Sequence, residues 1–107
     1  MSSTPKRLVG PSQLGTAAST LYTVPSSTKT VVRYIHVSNP TGGSVSLTMS
    51  IGADAAAVRI FDALAIAANS AQDFFCYHVL EAAEIIQGFA STASALVITI
   101  DGEERTP

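Results

Sequence analysis

Cys76 and His78 stand two residues apart, a spacing that on a strand puts both side chains on one face, where His36 would be the third ligand of a metal. Such a site needs at least three ligands and a second shell to orient them, and no acidic cluster completes this one. The plainer reading is a buried thiol acting as a small hydrophobe and a histidine bonded to backbone. A nucleophilic serine needs a base and an orienting acid, and none of the serines lies in a G-x-S-x-G elbow. Asp62 with Asp73, or Glu81 with Glu84, would serve glycoside hydrolysis only across a cleft, with carboxyls about 5 to 9.5 Å apart. Nothing in the sequence builds that cleft, so turn and capping roles fit these acids better. Thr41-Gly42-Gly43-Ser44 lacks the lysine and the helix start of a phosphate loop and reads as a hairpin turn. No catalytic, cofactor-binding or metal-ligating residue is assigned, and the chain is expected not to be an enzyme and to need no cofactor.

Arg33 is the one charged side chain in an unexpected place. Alternation puts it with Val31, Ile35 and Val37 on an otherwise apolar face, where a guanidinium needs a carboxylate or carbonyl partner. It reads as an internal anchor, with Asp62, Asp73 or Glu84 as partner, or as an interface contact.

The elements that would position these residues are short. Of 107 residues, 47% are apolar, 13% charged and 7% aromatic, and sixteen Ala, thirteen Ser and eleven Thr give the chain small side chains suited to thin sheets and close subunit contacts. The length suits one domain with one core. A net charge of −2 gives no basic field for nucleic acid. One cysteine excludes an internal disulfide and fits a reducing cytoplasm. No apolar run approaches the roughly 18 to 20 residues of a membrane span, and the first residues lack a signal-peptide pattern, so neither membrane insertion nor export is expected. Lys6 and Arg7 make the start basic, whereas Asp101, Glu103 and Glu104 make the end acidic.

Residues 1–14 carry Pro5, Gly10 and Pro11 without periodicity and are expected to be an extended arm that orders only on a surface. Strands are expected near 16–24, over 29–39, and over 44–51, where Val45, Leu47, Met49 and Ile51 alternate with Ser and Thr. Over 53–66 an Ala-rich helix capped by Asp54 competes with a loop followed by a strand from about Arg59 to Ile66. Further strands fall at 70–75, 85–90 and 95–100, with turns at Ala68-Asn69 and 79–84. The fold class is therefore all-β, an antiparallel β-sandwich or jelly roll of about seven or eight short strands. The division is an arm at 1–14, a sandwich at 15–102 and an acidic tail at 103–107.

The run LYTVPSSTKTVVRYIHVSN (21–39), SVSLTMSIGAD (44–54), Val79-Leu80-Glu81-Ala82-Ala83-Glu84 and the closing LVITIDGEE resemble small virion proteins of tailed bacteriophages, particularly those of actinobacteria. The matched pattern is a strand ending Val24-Pro25, a strand Val31 to Asn39, the Ala68-Asn69 turn, the 79–84 turn and a final Val97 to Gly102 strand. The likeness spans most of 14–104 and consists of strand and turn chemistry. Where similar proteins carry Gly, this chain has Ala83, so that turn is expected to avoid positive φ. The resemblance implies a capsid decoration (cement) or minor capsid protein on the outside of the assembled head. It implies the major capsid protein as partner and a homo-oligomer, a trimer by preference. A tail or head-tail-junction subunit, or a host-glycan binding module, is the alternative. In this reading Lys6 and Arg7 contact the capsid, and deleting residues 1–12 is expected to weaken attachment while leaving the sandwich folded.

Overall fold

The computed structural model describes residues 2–107, of which the side chains are described from Ser3 onward. Eight strands follow in order: β1 (Ser2–Gln13), β2 (Ser19–Thr23), β3 (Lys29–Asn39), β4 (Val45–Ile51), β5 (Arg59–Ile66), β6 (Ser70–Leu80), β7 (Ile85–Ala90) and β8 (Val97–Thr106). They form two four-stranded sheets, β1-β8-β3-β6 and β2-β7-β4-β5, in which every pairing is antiparallel. This is the expected all-β sandwich.

The core lies between the sheets. Ile35 and Val37 of β3, Ile98 and Ile100 of β8 and Leu80 of β6 meet Leu47 and Met49 of β4, Ile66 of β5 and Ile86 of β7, all at most 2% exposed. Burying each such side chain contributes roughly 1.5 to 3 kcal/mol. The alternation of β4 is honoured, with Val45, Leu47 and Met49 on the core face.

The helix-or-strand question over 53–66 resolves to one turn of 3-10 helix at Ala56–Val58 followed by β5. The small side chains of 55–57 bury nothing, while Phe61, Leu64 and Ile66 gain contacts on the core only as a strand beside β4. Asp54 caps no helix. Its carboxylate instead accepts from Ser50 Oγ at 2.7 Å and from Arg59 Nε and Nη2, both at 3.0 Å.

Both ends differ from expectation. Residues 2–13 are not a loose arm but β1, paired along its length with β8 from Ser2 opposite Thr106 to Gln13 opposite Val97. Correspondingly, 103–106 are not a tail but the continuation of β8. Each end supplies the partner the other lacks, and Val9, 5% exposed, and Leu14, 1% exposed, are core residues. Pro5 and Pro11 are tolerated because β1 is an edge strand, where a missing N–H costs no second ladder. Gly102 is required by close approach, since a Cβ there would lie 2.0 Å from the Val31 carbonyl oxygen. The 79–84 turn also departs from expectation: Ala83 sits at φ 70°, held by its N–H on Val24 O (3.1 Å) and by Glu84 N–H on Glu81 O (3.1 Å). Alanine tolerates the left-handed region there because the surrounding hydrogen bonds fix it.

Candidate docking surface

The outward face of the β1-β8-β3-β6 sheet gathers Arg33, His36, Asp73 and Arg7 of the residues singled out in the sequence. A register shift in β3 between Val32 and Tyr34, present against both β6 and β8, places its organising kink at Arg33. Val32 belongs to the core, and past the kink it is Ile35 and Val37 that do so. The bulge thus flips the parity of the strand. Arg33 therefore does not share a face with Ile35 and Val37; it is exposed, its Nη1 donates to Glu103 Oε1 at 3.1 Å, and its guanidinium carbon lies 5.6 Å from the Tyr77 ring centre. Neither Asp62, Asp73 nor Glu84 is its partner. Strict alternation misled here because one extra residue inverts every assignment beyond it.

Around Arg33 stand Tyr34, Phe75 and Tyr77. The Tyr34 and Phe75 rings are 5.1 Å apart. Phe75 is 85% exposed, Tyr77 60% and Val79 49%, three of the four exposed large apolar side chains among the described residues. They follow one another at every second position of β6, whose alternate residues Phe74, Cys76, His78 and Leu80 face inward. The strand expected from the sequence ends at 75, with a turn at 79–84, so the row was missed; 74–80 carry aromatic or aliphatic residues on both faces and give no clear alternation. Beside the row lies an open groove of about 470 Å³ walled by Pro5, Tyr34, Phe75, Asp101 and Glu103.

Charges frame this face. Asp73 accepts from Tyr34 Oη at 2.5 Å and pairs with His36 Nδ1, and these two contacts hold its carboxyl below the usual range. Glu103 is likewise held low, first by Ser3 Oγ at 2.8 Å and then by Arg105 Nη2 at 3.2 Å. At the sandwich edge, Tyr22 Oη of β2 donates to Glu104 Oε2 of β8 at 2.5 Å and bonds Thr30 Oγ1 of β3 at 2.8 Å, tying the sheets together. Burial, reinforced by Glu104, pushes the Tyr22 hydroxyl up to about 12, and the bond from Tyr22 holds Glu104 below its usual range.

The expected contact residues separate. Lys6 Nζ is ion-paired with Glu104 Oε1 at 3.2 Å, inside the β1–β8 ladder. Arg7 is exposed, lies opposite Asp101 in the register and makes no ion pair among the described residues. The metal trio is not brought together: Cys76 Sγ packs on the core and contacts Val32 O at 3.6 Å, its thiol pushed up by burial, whereas His36 is occupied with Asp73. The paired acids are also dispersed. Asp62 binds Arg59 Nη1 at 3.0 Å on the other sheet from Asp73, and Glu84 Oε1 accepts the Glu81 N–H at 2.6 Å.

No known family matches the sequence, and no curated protein matches it. Two solved structures are similar over 96% of this chain: that of infectious bursal disease virus Gx strain, at 11% identity and TM-score 0.49, and that of infectious bursal disease virus Gt strain, at 10% identity and TM-score 0.39. The chain spans 30% and 28% of those chains. Similarity at that level carries no statement about what this chain does. No helix among the described residues is long and apolar enough to cross a membrane.

Proposed function

We propose that this chain is a non-enzymatic structural subunit of a bacteriophage virion that docks on the outside of the assembled head as a decoration or minor capsid protein. One observation carries the reading: the exposed Phe75-Tyr77-Val79 row beside an open groove, a surface shaped to meet another protein rather than to enclose a small molecule. The likeness of its strand and turn sequences to small phage virion proteins supplies the setting. The shell protein is the partner, and a homo-oligomer multiplies weak individual contacts on a repeating lattice. Arg7, exposed and without an ion pair among the described residues, is the basic group available to an acidic shell surface; Lys6 already serves Glu104.

The test is location. Virions of the source phage are labelled with gold-conjugated antibody against this chain and counted by electron microscopy. Label distributed over heads is expected. Label restricted to tails would instead favour the tail-subunit or glycan-binding reading, and unlabelled virions would contradict a virion role altogether.

A further inference from the structure

The sandwich has four edge strands, and three of them are blunted against pairing with another chain. β1 carries Pro5, Pro11, Lys6 and Arg7 and two register breaks. β2 is five residues long and stops just before Val24-Pro25. β5 carries Arg59 and Asp62, and its pairing with β4 is broken twice. Prolines, charges, brevity and bulges are the devices that keep edges from adding strands. β6 is different: eleven residues, SAQDFFCYHVL, without Pro, Gly, Lys or Arg, with one register break against β3 and with the apolar row facing out. Its single outward charge is Asp73. An open edge of that length stays soluble only when covered or paired.

We infer that the free edge of β6 is occupied by β6 of a second copy of this chain, paired antiparallel about a two-fold axis that passes at Phe75. Residue arithmetic selects the axis. The register that pairs Ser70–Leu80 with itself over the whole strand has its midpoint at Phe75, which is also the most exposed large apolar residue. In that register Phe75 faces its own copy and Ala71 faces Val79. Asp73 faces Tyr77, the ring over which Arg33 lies. The one outward acid thus lies beside a ring rather than beside another acid, twice per dimer, while its own bonds run to Tyr34 and His36. Every outward residue pairs with an outward residue, which keeps both sandwiches on their proper sides of an eight-stranded sheet.

Edge pairing shields one flank of Phe75 and Tyr77, less than the roughly 300 Å² that their full burial would remove, and leaves their outer faces open to the shell. With the ladder backbone and Val79 the interface stays below the about 800 Å² per partner of a stable interface. The pairing is accordingly expected to be concentration-dependent. It is also two-fold, in contrast to the trimer implied by the phage likeness.

The inference is tested on the purified chain alone, so its outcome does not depend on shell binding. Sedimentation equilibrium across a hundredfold concentration range is expected to show reversible monomer to dimer. Phe75→Glu, at an 85% exposed position, should shift the midpoint at least tenfold upward without changing the circular dichroism spectrum or the melting temperature. Tyr77→Glu reads the same row should the first variant fail to fold. In a Cys76→Ser background, oxidation of Phe75→Cys should link two copies efficiently, because directly opposed Cβ atoms lie about 4.5 to 5.5 Å apart, whereas Val79→Cys should not. A strictly monomeric chain, a trimer, a dimer indifferent to both glutamate variants, or equal cross-linking at 75 and 79 would overturn it.

Discussion

β1 and β6 flank the same sheet, and they illustrate opposite uses of an edge. β1 looks like a solvated arm: two prolines, two cations and no alternation. Yet its Val9 is 5% exposed, and its side chains Ser3 and Lys6 bind Glu103 and Glu104 of β8. β6 looks like an ordinary strand, yet it sends Phe75 and Tyr77 into solvent. Apolar content therefore does not tell which edge is finished. The finished edge is the one whose outward groups are prolines and charges; the unfinished one offers rings on a long strand without proline.

The largest expected effect comes from removing β1. Deletion of residues 2–13 takes away Leu8 and Val9 and uncovers β8, and it is expected to unfold the chain or to cost more than about 4 kcal/mol in chemical denaturation. This reverses the expectation that an arm can be trimmed from an intact sandwich. Gly102→Ala comes next, because its Cβ would lie 2.0 Å from Val31 O on the β3 side and 3.1 Å from Leu8 Cδ1 on the β1 side. A loss of about 3 kcal/mol is expected from the same measurement, as for other overpacked sites.

Acid should loosen the same ladder. Glu103 and Glu104 have folded-state pKa values below their unfolded ones, so their contribution is present above the usual carboxylate range and is lost as pH falls through the lowered values. Tyr22 behaves in the opposite sense: its raised value gives a contribution present below pH 10 and lost as pH climbs towards about 12. A stability profile by thermal melting checks both limbs. The smallest effect separates the two edges most cleanly. Val79→Ala in β6 should change stability by no more than about 0.5 kcal/mol, whereas Val9→Ala in β1 should cost about 2 kcal/mol.

Much of the fold was legible because β3, β4 and β8 carry β-branched or strictly alternating residues between clear turn signals. β1 was not legible, since its strand character comes from β8 and from opposite charges nearly a hundred residues away rather than from its own pattern. Arg33 was recognised as unusual, but its partner was hidden by a bulge that no local signal marks. The aromatic row was not read, because the strand was expected to end at 75 whereas β6 runs to Leu80. Its outward sense depends on which side of β6 meets the other sheet, and that is decided by the rest of the sandwich.

Hydrogen exchange, followed by mass spectrometry at low and high protein concentration, addresses the contrast between the edges most directly. The account predicts that amides of 2–13 bonded to β8 are slow at both concentrations, while the free-edge amides of 70–80 are fast in dilute solution and slow when concentrated. Rapid exchange throughout 2–13, or a β6 edge whose exchange ignores concentration, would contradict it.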